Sequence, residues 1–284
     1  MSPRVLLHGL EVGALVGLAD LPDRVKGGTI DATSTGDALK SDNDSDAGLG
    51  YVTVTDGTVT LDSGDDGVDA WTAITIAGGT VTVQRSVEGL EARVISVSGG
   101  TTTVTASDDG VNAADSASTA GDMQAQEGTL LSISGGTLTV NADGDGLDSN
   151  GSIAMTGGQV VVNGPTMNGN GALDYNGTFT VTGGSLVAGG SAGMAQAPST
   201  SSTQKSLTAQ VNAAAGATVE IKDSSGTVIA SHRTTKQTAV VVVSDASIAE
   251  GETYTVWVDG TQVGSTDTSQ VIQGQGPGGG GRRP

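Results

Sequence analysis

The sequence predicts an all-β chain: a parallel β-helix of about seven rungs, then a small antiparallel β-unit. Three observations carry this. The first is a repeat of about 22 residues. Strand openings recur as "GGTIDAT" from Gly27, "DGTVTLD" from Asp56, "GGTVTVQ" from Gly78, "GGTTTVT" from Gly99, "GGTLTVN" from Gly135, "GGQVVVN" from Gly157 and "GGSLVAG" from Gly183. The second is alternation: each opening interleaves Thr with Val, Ile or Leu, the period of a strand with one buried face. The third is composition. Gly is 46 of 284 residues, and the only aromatics are Trp71, Trp257, Tyr51, Tyr175, Tyr254 and Phe179. So little aromatic volume suits thin stacked layers of β-branched side chains.

A second strand recurs in each repeat, as "YVTVT" (51–55), "AITIA" (73–77), "VISVS" (94–98), "LLSIS" (130–134), "SIAMT" (152–156) and "TFTVT" (178–182). Gly-Gly ahead of the openings marks turns that need positive φ. The long gaps hold two insertions, "SDNDSDAGLG" (41–50) and "ADSASTAGDMQAQ" (114–126). The competing fold is a β-sandwich of short strands. The constant order of strand, acidic turn, strand and Gly-Gly turn favours the solenoid. The repeats are expected over 27–198, with residues 1–26 an N-terminal cap or a displaced start. Within them "VLLHGLEVGALVGLA" (5–19) is too short and too polar to span a bilayer, is a poor export signal, and reads as an amphipathic helix. "APSTSSTQKS" places a linker at 199–206. Alternating segments then predict a β-sandwich-like cap over 207–272, with Trp257 in its core, and a Gly-rich tail over 273–284.

Charge is concentrated in the repeats. The chain carries a net −19, and residues 28–190 hold 21 Asp and Glu against Lys40, Arg85 and Arg93 alone. Such a surface is a poor partner for nucleic acid. Cysteine is absent, which excludes disulfides and thiolate metal sites.

Aligned by repeat, the acids fall into columns. One reads Asp37, Asp66, Glu88, Asp109, Asp145, Asn170. The next reads Lys40, Asp69, Glu91, Asn112, Asp148, Asp174. A shorter set, Asp65, Asp108 and Asp143, precedes them. Carboxylates stacked at the strand spacing of about 4.8 Å repel by roughly 1 kcal/mol in water and by 3–4 kcal/mol near a protein surface. Divalent cations would neutralise such a ladder, and oxygen-only ligands select calcium. His8 and His232 are far from the columns, which argues against zinc. The plain alternative is a solvated acidic edge that prevents aggregation. "DNDSDAG" (42–48) adds a possible metal loop through Asp42, Asp44 and Asp46. It is no EF-hand, since Ala47 replaces the required Gly and Thr53 the bidentate Glu.

The segments "STGDALKSDND" (34–44), "SVEGLEARVISVSGGTTTVTASDDGVNAADS" (86–116) and "DGDGLDSNGSIAMTGGQVVVNGPTMNGNGALDYNGTFTVTGGSLVAGGSAGMAQAP" (143–198) resemble the calcium-containing carbohydrate-binding β-helix family. The resemblance covers roughly residues 27–198. It implies a right-handed parallel β-helix, bound Ca2+ and extracellular binding of a plant-type polysaccharide such as pectate or cellulose. Lys40, Asn112 and Asn170 depart from an all-acid pattern. The carbohydrate contacts expected are Trp71 and Tyr175, each just after an acidic turn, and Arg93. The ring of Trp71 or Tyr175 would otherwise cover an end of the core. The function expected is a non-catalytic, calcium-dependent polysaccharide binder. The alternatives are a calcium-dependent pectate lyase, using Lys40, Arg85 or Arg93 as base, and a surface adhesin. Outward Thr pairs such as Thr80/Thr82 also raise ice binding, although Gln159 and Ser185 interrupt the run.

Overall fold

The computed structural model describes residues 4–8, 12–13, 23–46, 48–121 and 123–269. The expected tail at 273–284 and most of the 5–19 segment lie outside the described residues. Where that segment is described it is strand, not helix. β1 (Arg4–His8) and β2 (Val12–Gly13) pair antiparallel with β3 (Asp23–Thr33).

The repeats form strands wherever Thr alternates with Val, Ile or Leu. They are β4 (Leu39–Ser41), β5 (Tyr51–Asp62), β6 (Val68–Ile76), β7 (Thr80–Arg85), β8 (Leu90–Val97), β9 (Thr101–Ala106), β10 (Val111–Ala113), β11 (Leu130–Ala142), β12 (Leu147–Ser149), β13 (Ser152–Asn163), β14 (Leu173–Tyr175), β15 (Phe179–Val181) and β16 (Ser185–Gly190). Nearly all pairings among them are parallel, between successive repeats. The Thr-rich ladder runs β3–β5–β7–β9–β11–β13–β16. The short ladder beside the acidic turns runs β4–β6–β8–β10–β12–β14.

The ladders also join one another, and this corrects the expected right-handed parallel β-helix of about seven rungs. From β5 the pairing passes through β7, β9 and β11, returns through β8 and β6, and reaches β5 again. Six parallel strands thus close a ring, a parallel barrel with further strands added to it. The physical reason lies in β5 and β11. Each runs unbroken through a glycine corner, Gly57 or Gly136, and its two halves pair with different neighbours. Separate rungs would need those strands to end at their corners.

The second glycine of each Gly-Gly pair is left-handed, as at Gly79 (φ 75°), Gly100 (φ 74°) and Gly158 (φ 85°). A Cβ on Gly100 would sit 2.5 Å from the Gly79 carbonyl oxygen, so glycine is required there twice over. Inside, the ladder stacks Val59, Val81, Leu138 and Val160, all essentially inaccessible. Thr102 stands in the same row, between Val81 and Leu138. It is 0% exposed, and its hydroxyl has no hydrogen-bond partner.

The parallel sheet ends at β16, whose free edge pairs antiparallel with β20 (Thr238–Ser244), preceded in the chain by β17 (Ser206–Ala213), β18 (Thr218–Lys222) and β19 (Val228–Arg233). β17 pairs with the other edge of β20. A second sheet, β19–β18–β21–β22, adds β21 (Thr253–Val258) and β22 (Thr261–Asp267). Its inner face, with Val219, Ile221, Tyr254 and Val256, packs on Val187, Leu207, Val241 and Val243. Residues 199–204, read from composition as a linker, lie along β15: Ser199 N–H donates to the Phe179 carbonyl (2.7 Å) and Gln204 N–H to that of Val181 (3.1 Å). Trp257 is not in the core as expected. Alternation along β21 turns Tyr254 and Val256 inward and Trp257 outward, where the Lys222 ammonium lies 4.5 Å from its ring centre.

Candidate acidic cation site beside an aromatic bulge

The short ladder sets the second column in register: Lys40, Asp69, Glu91, Asn112, Asp148 and Asp174 are successive partners. The first column lies in the turns just before these strands. Its carboxylates reach from one repeat to the next and accept backbone N–H groups. Asp37 Oδ1 accepts from Asp66 (3.0 Å), Asp66 Oδ1 from Glu88 (3.1 Å), Asp109 Oδ1 from Asp145 (2.6 Å) and Asp145 Oδ1 from Gly171 (2.5 Å). The residue after each acid is almost always glycine, because the turns stack so closely. A Cβ on Gly89 would meet the Gly110 carbonyl at 2.2 Å, and one on Gly110 would meet Val140 Cγ1 at 2.1 Å. The tight turn therefore forces the acids into columns.

Burial and crowding then raise the pKa values. Glu88 is pushed up to about 7 and Glu91 to about 8, in each case by burial first and then by neighbouring carboxylates. Burial, with neighbouring carboxylates, likewise lifts Asp109 to about 6, Asp145 to about 7 and Asp148 to about 8. Asp66 and Asp174 are raised too, again chiefly by burial. Among the described residues, two groups bring carboxylate oxygens within 4.8 Å of one another: Asp37/Asp65/Asp66 and Asp66/Glu88/Glu91. Asn112 belongs beside the second. It is 8% exposed and donates Nδ2–H to Glu88 Oε2 (3.0 Å), while its amide oxygen has no partner. Three carboxylates and a buried, unpartnered amide oxygen suit a hard cation.

Other predicted ligands are placed differently. Asp65 and Asp108 are exposed. Asp143 pairs with Lys236 Nζ (2.9 Å), brought over by the β19–β20 turn. Asp174 accepts from the Gln196 amide, and the Asn170 carbonyl accepts from Ser191 Oγ (2.7 Å). Asp42, Asp44 and Asp46 lie exposed on the inserted loop and form no carboxylate group with one another among the described residues; Asp46 Oδ1 accepts from Gly48 N–H. Lys40 bridges both columns, 2.8 Å from Asp37 Oδ2 and 2.6 Å from Asp69 Oδ2. Burial opposes its charge, but the two carboxylates outweigh it and hold the ammonium protonated. Lys236 and Gln196 carried no sequence signal, being distant along the chain from the acids they meet.

Trp71 follows Asp69 by two residues at a break in the ladder. Ala70 pairs with Ala92 and Ala73 with Val94, so Trp71 and Thr72 together face the single residue Arg93. The extra residue makes a bulge that re-aims the side chain, and Trp71 is 36% exposed. Arg93 pairs with Asp115 (3.5 Å), within the second insertion, and donates to the Glu127 carbonyl (3.2 Å) just after it. Tyr175 is half-buried. It meets Phe179 edge-on at 6.0 Å, and its hydroxyl donates to the Ala197 carbonyl (2.6 Å), so the ring covers the end of the core.

Residues 23–129 match the model of a family described as carbohydrate-binding domain-containing protein, which supports a carbohydrate-binding role. No curated protein and no solved structure matches the chain. The matched segment contains the acid cluster from Asp37 to Asn112, the Trp71 bulge and Arg93.

Proposed function

We propose that the chain is a non-catalytic, calcium-dependent binder of acidic or plant-cell-wall polysaccharide, such as polygalacturonate or cellulose, working outside the cell. The observation that carries this reading is the overlap between the carbohydrate-binding family match and the acid cluster with its exposed tryptophan. Asp66, Glu88, Glu91 and the Asn112 amide oxygen would hold the cation. Bound calcium supplies positive charge that a uronate carboxylate can share. The Trp71 ring offers an apolar face to a sugar, and Arg93 on the neighbouring strand offers hydrogen-bond donors.

Affinity electrophoresis tests this. Gels containing polygalacturonate, a soluble cellulose derivative or neither are run with calcium and with chelator, while unsaturated product is followed by absorbance. Calcium-dependent retardation without new absorbance is the expected result. Product formation would make the protein a lyase. Unaltered mobility in every gel would refute the polysaccharide reading.

A further inference from the structure

We propose that Lys40 is a tethered cation that fills the first position of the acid column and thereby limits how many divalent ions the column accepts. This rests on the calcium reading above. At the same register position the other repeats carry Asp69, Glu91, Asn112, Asp148 and Asp174, all oxygen ligands. Here the chain itself supplies the charge. The ammonium touches one carboxylate of each column, Asp37 and Asp69, and both are well shielded from solvent. Both Asp37 oxygens are thereby engaged, since Oδ1 accepts the Asp66 N–H while Oδ2 meets the ammonium. Beyond this point the balance changes. Glu88, Glu91, Asp109, Asp145 and Asp148 form no ion pair with a basic group among the described residues. Lys40 therefore marks the boundary between an end neutralised by a side chain of the protein and acids that no basic side chain pairs with among the described residues. An ammonium is a compact point charge on a flexible stem, which lets it take the place of an ion between oxygens.

The consequence is specific. Without the Lys40 charge, Asp37 and Asp69 stand uncompensated beside Asp65 and Asp66, an oxygen set like that of the neighbouring group. Calcium bound per chain is measured by equilibrium dialysis for wild type, Lys40→Gln, Lys40→Arg and Lys236→Gln. The expected result is one more ion in Lys40→Gln than in wild type, with Lys40→Arg and Lys236→Gln unchanged. Lys236→Gln removes the same charge from the exposed Asp143 and vacates no column position. Terbium luminescence excited through tryptophan gives a second readout. It should rise in Lys40→Gln and fall again when Trp71→Phe is added.

If wild type binds calcium and Lys40→Gln binds no more, the tethered-cation role is overturned and the calcium reading stands. If wild type binds none and Lys40→Gln binds one, the calcium reading fails for the native chain while the role of Lys40 holds. If neither binds, both fail. Should Lys40→Gln fold poorly, refolding in calcium chloride is compared with sodium chloride of equal ionic strength. Rescue by calcium alone supports the proposal, and its absence overturns it.

Discussion

The parallel repeats and the antiparallel C-terminal unit treat charge in opposite ways. In the repeats, parallel register puts like residues on like, so acids stack on acids, and burial together with that crowding raises their pKa values. In the C-terminal unit, antiparallel neighbours are unlike residues and charges are met locally. Lys222 pairs with Glu220 (2.9 Å) and Lys205 with Glu250 (3.0 Å). Asp223 is held below its usual range by the Ser225 hydroxyl and the N–H groups of its own turn. Parallel stacking of a short repeat accumulates one kind of charge; the C-terminal unit, where the paired charges lie on one strand or in loops, does not.

The largest expected effect breaks this contrast at its source. Gly110→Ala drives a methyl group into Val140 and should cost about 3 kcal/mol. Gly226→Ala, in a C-terminal turn with open space around it, should cost only about 1 kcal/mol for its φ of 86°. Denaturant unfolding compares the two, and equal costs would show that close stacking is not what demands glycine.

Next comes electrostatics. The folded pKa values of Glu88, Glu91, Asp109, Asp145 and Asp148 lie above their unfolded values, so the folded chain binds more protons between about pH 4 and pH 8. In chelator, the melting temperature should therefore fall as pH rises through that window, and calcium should flatten the fall. Asp66→Asn with Glu91→Gln should raise stability in chelator, on the order of 1 kcal/mol after solvent screening, and reduce the gain on adding calcium. Thermal melts with and without calcium test both signs.

Two smaller effects sharpen the comparison. Thr102→Val removes a buried unpaired hydroxyl at nearly constant shape and should stabilise by about 1 kcal/mol, read from the shift of the denaturation midpoint. Lys205→Ala breaks an exposed C-terminal ion pair and should change stability by less than about 0.5 kcal/mol.

The columns were legible because a strict period fixes register: Asp69, Glu91 and Asn112 are found as partners where the repeat alignment placed them. What was illegible depends on contacts between distant segments. Nothing in "YVTVTDGTVTLD" says that its halves join different neighbours and close a ring. Period alone could not separate Trp71, turned out by a bulge, from Tyr175, drawn against Phe179. Trp257 was expected in the core of the cap, but alternation along its strand puts Tyr254 and Val256 on the inner face and Trp257 on the outer one. Lys236 reaches Asp143 across 93 residues of sequence, and no local pattern announces that.

β20 has one further consequence. Val240 and Val242 point into the core of the repeats, while Val241 and Val243 point into the C-terminal core. A strand shared in this way has no free side, which explains the unbroken run "AVVVV". It also ties the two halves mechanically. Pulling either one away strips apolar surface from the other, so they should melt in one calorimetric transition. A chain severed after residue 198 should yield two fragments that aggregate alone and recover solubility when mixed.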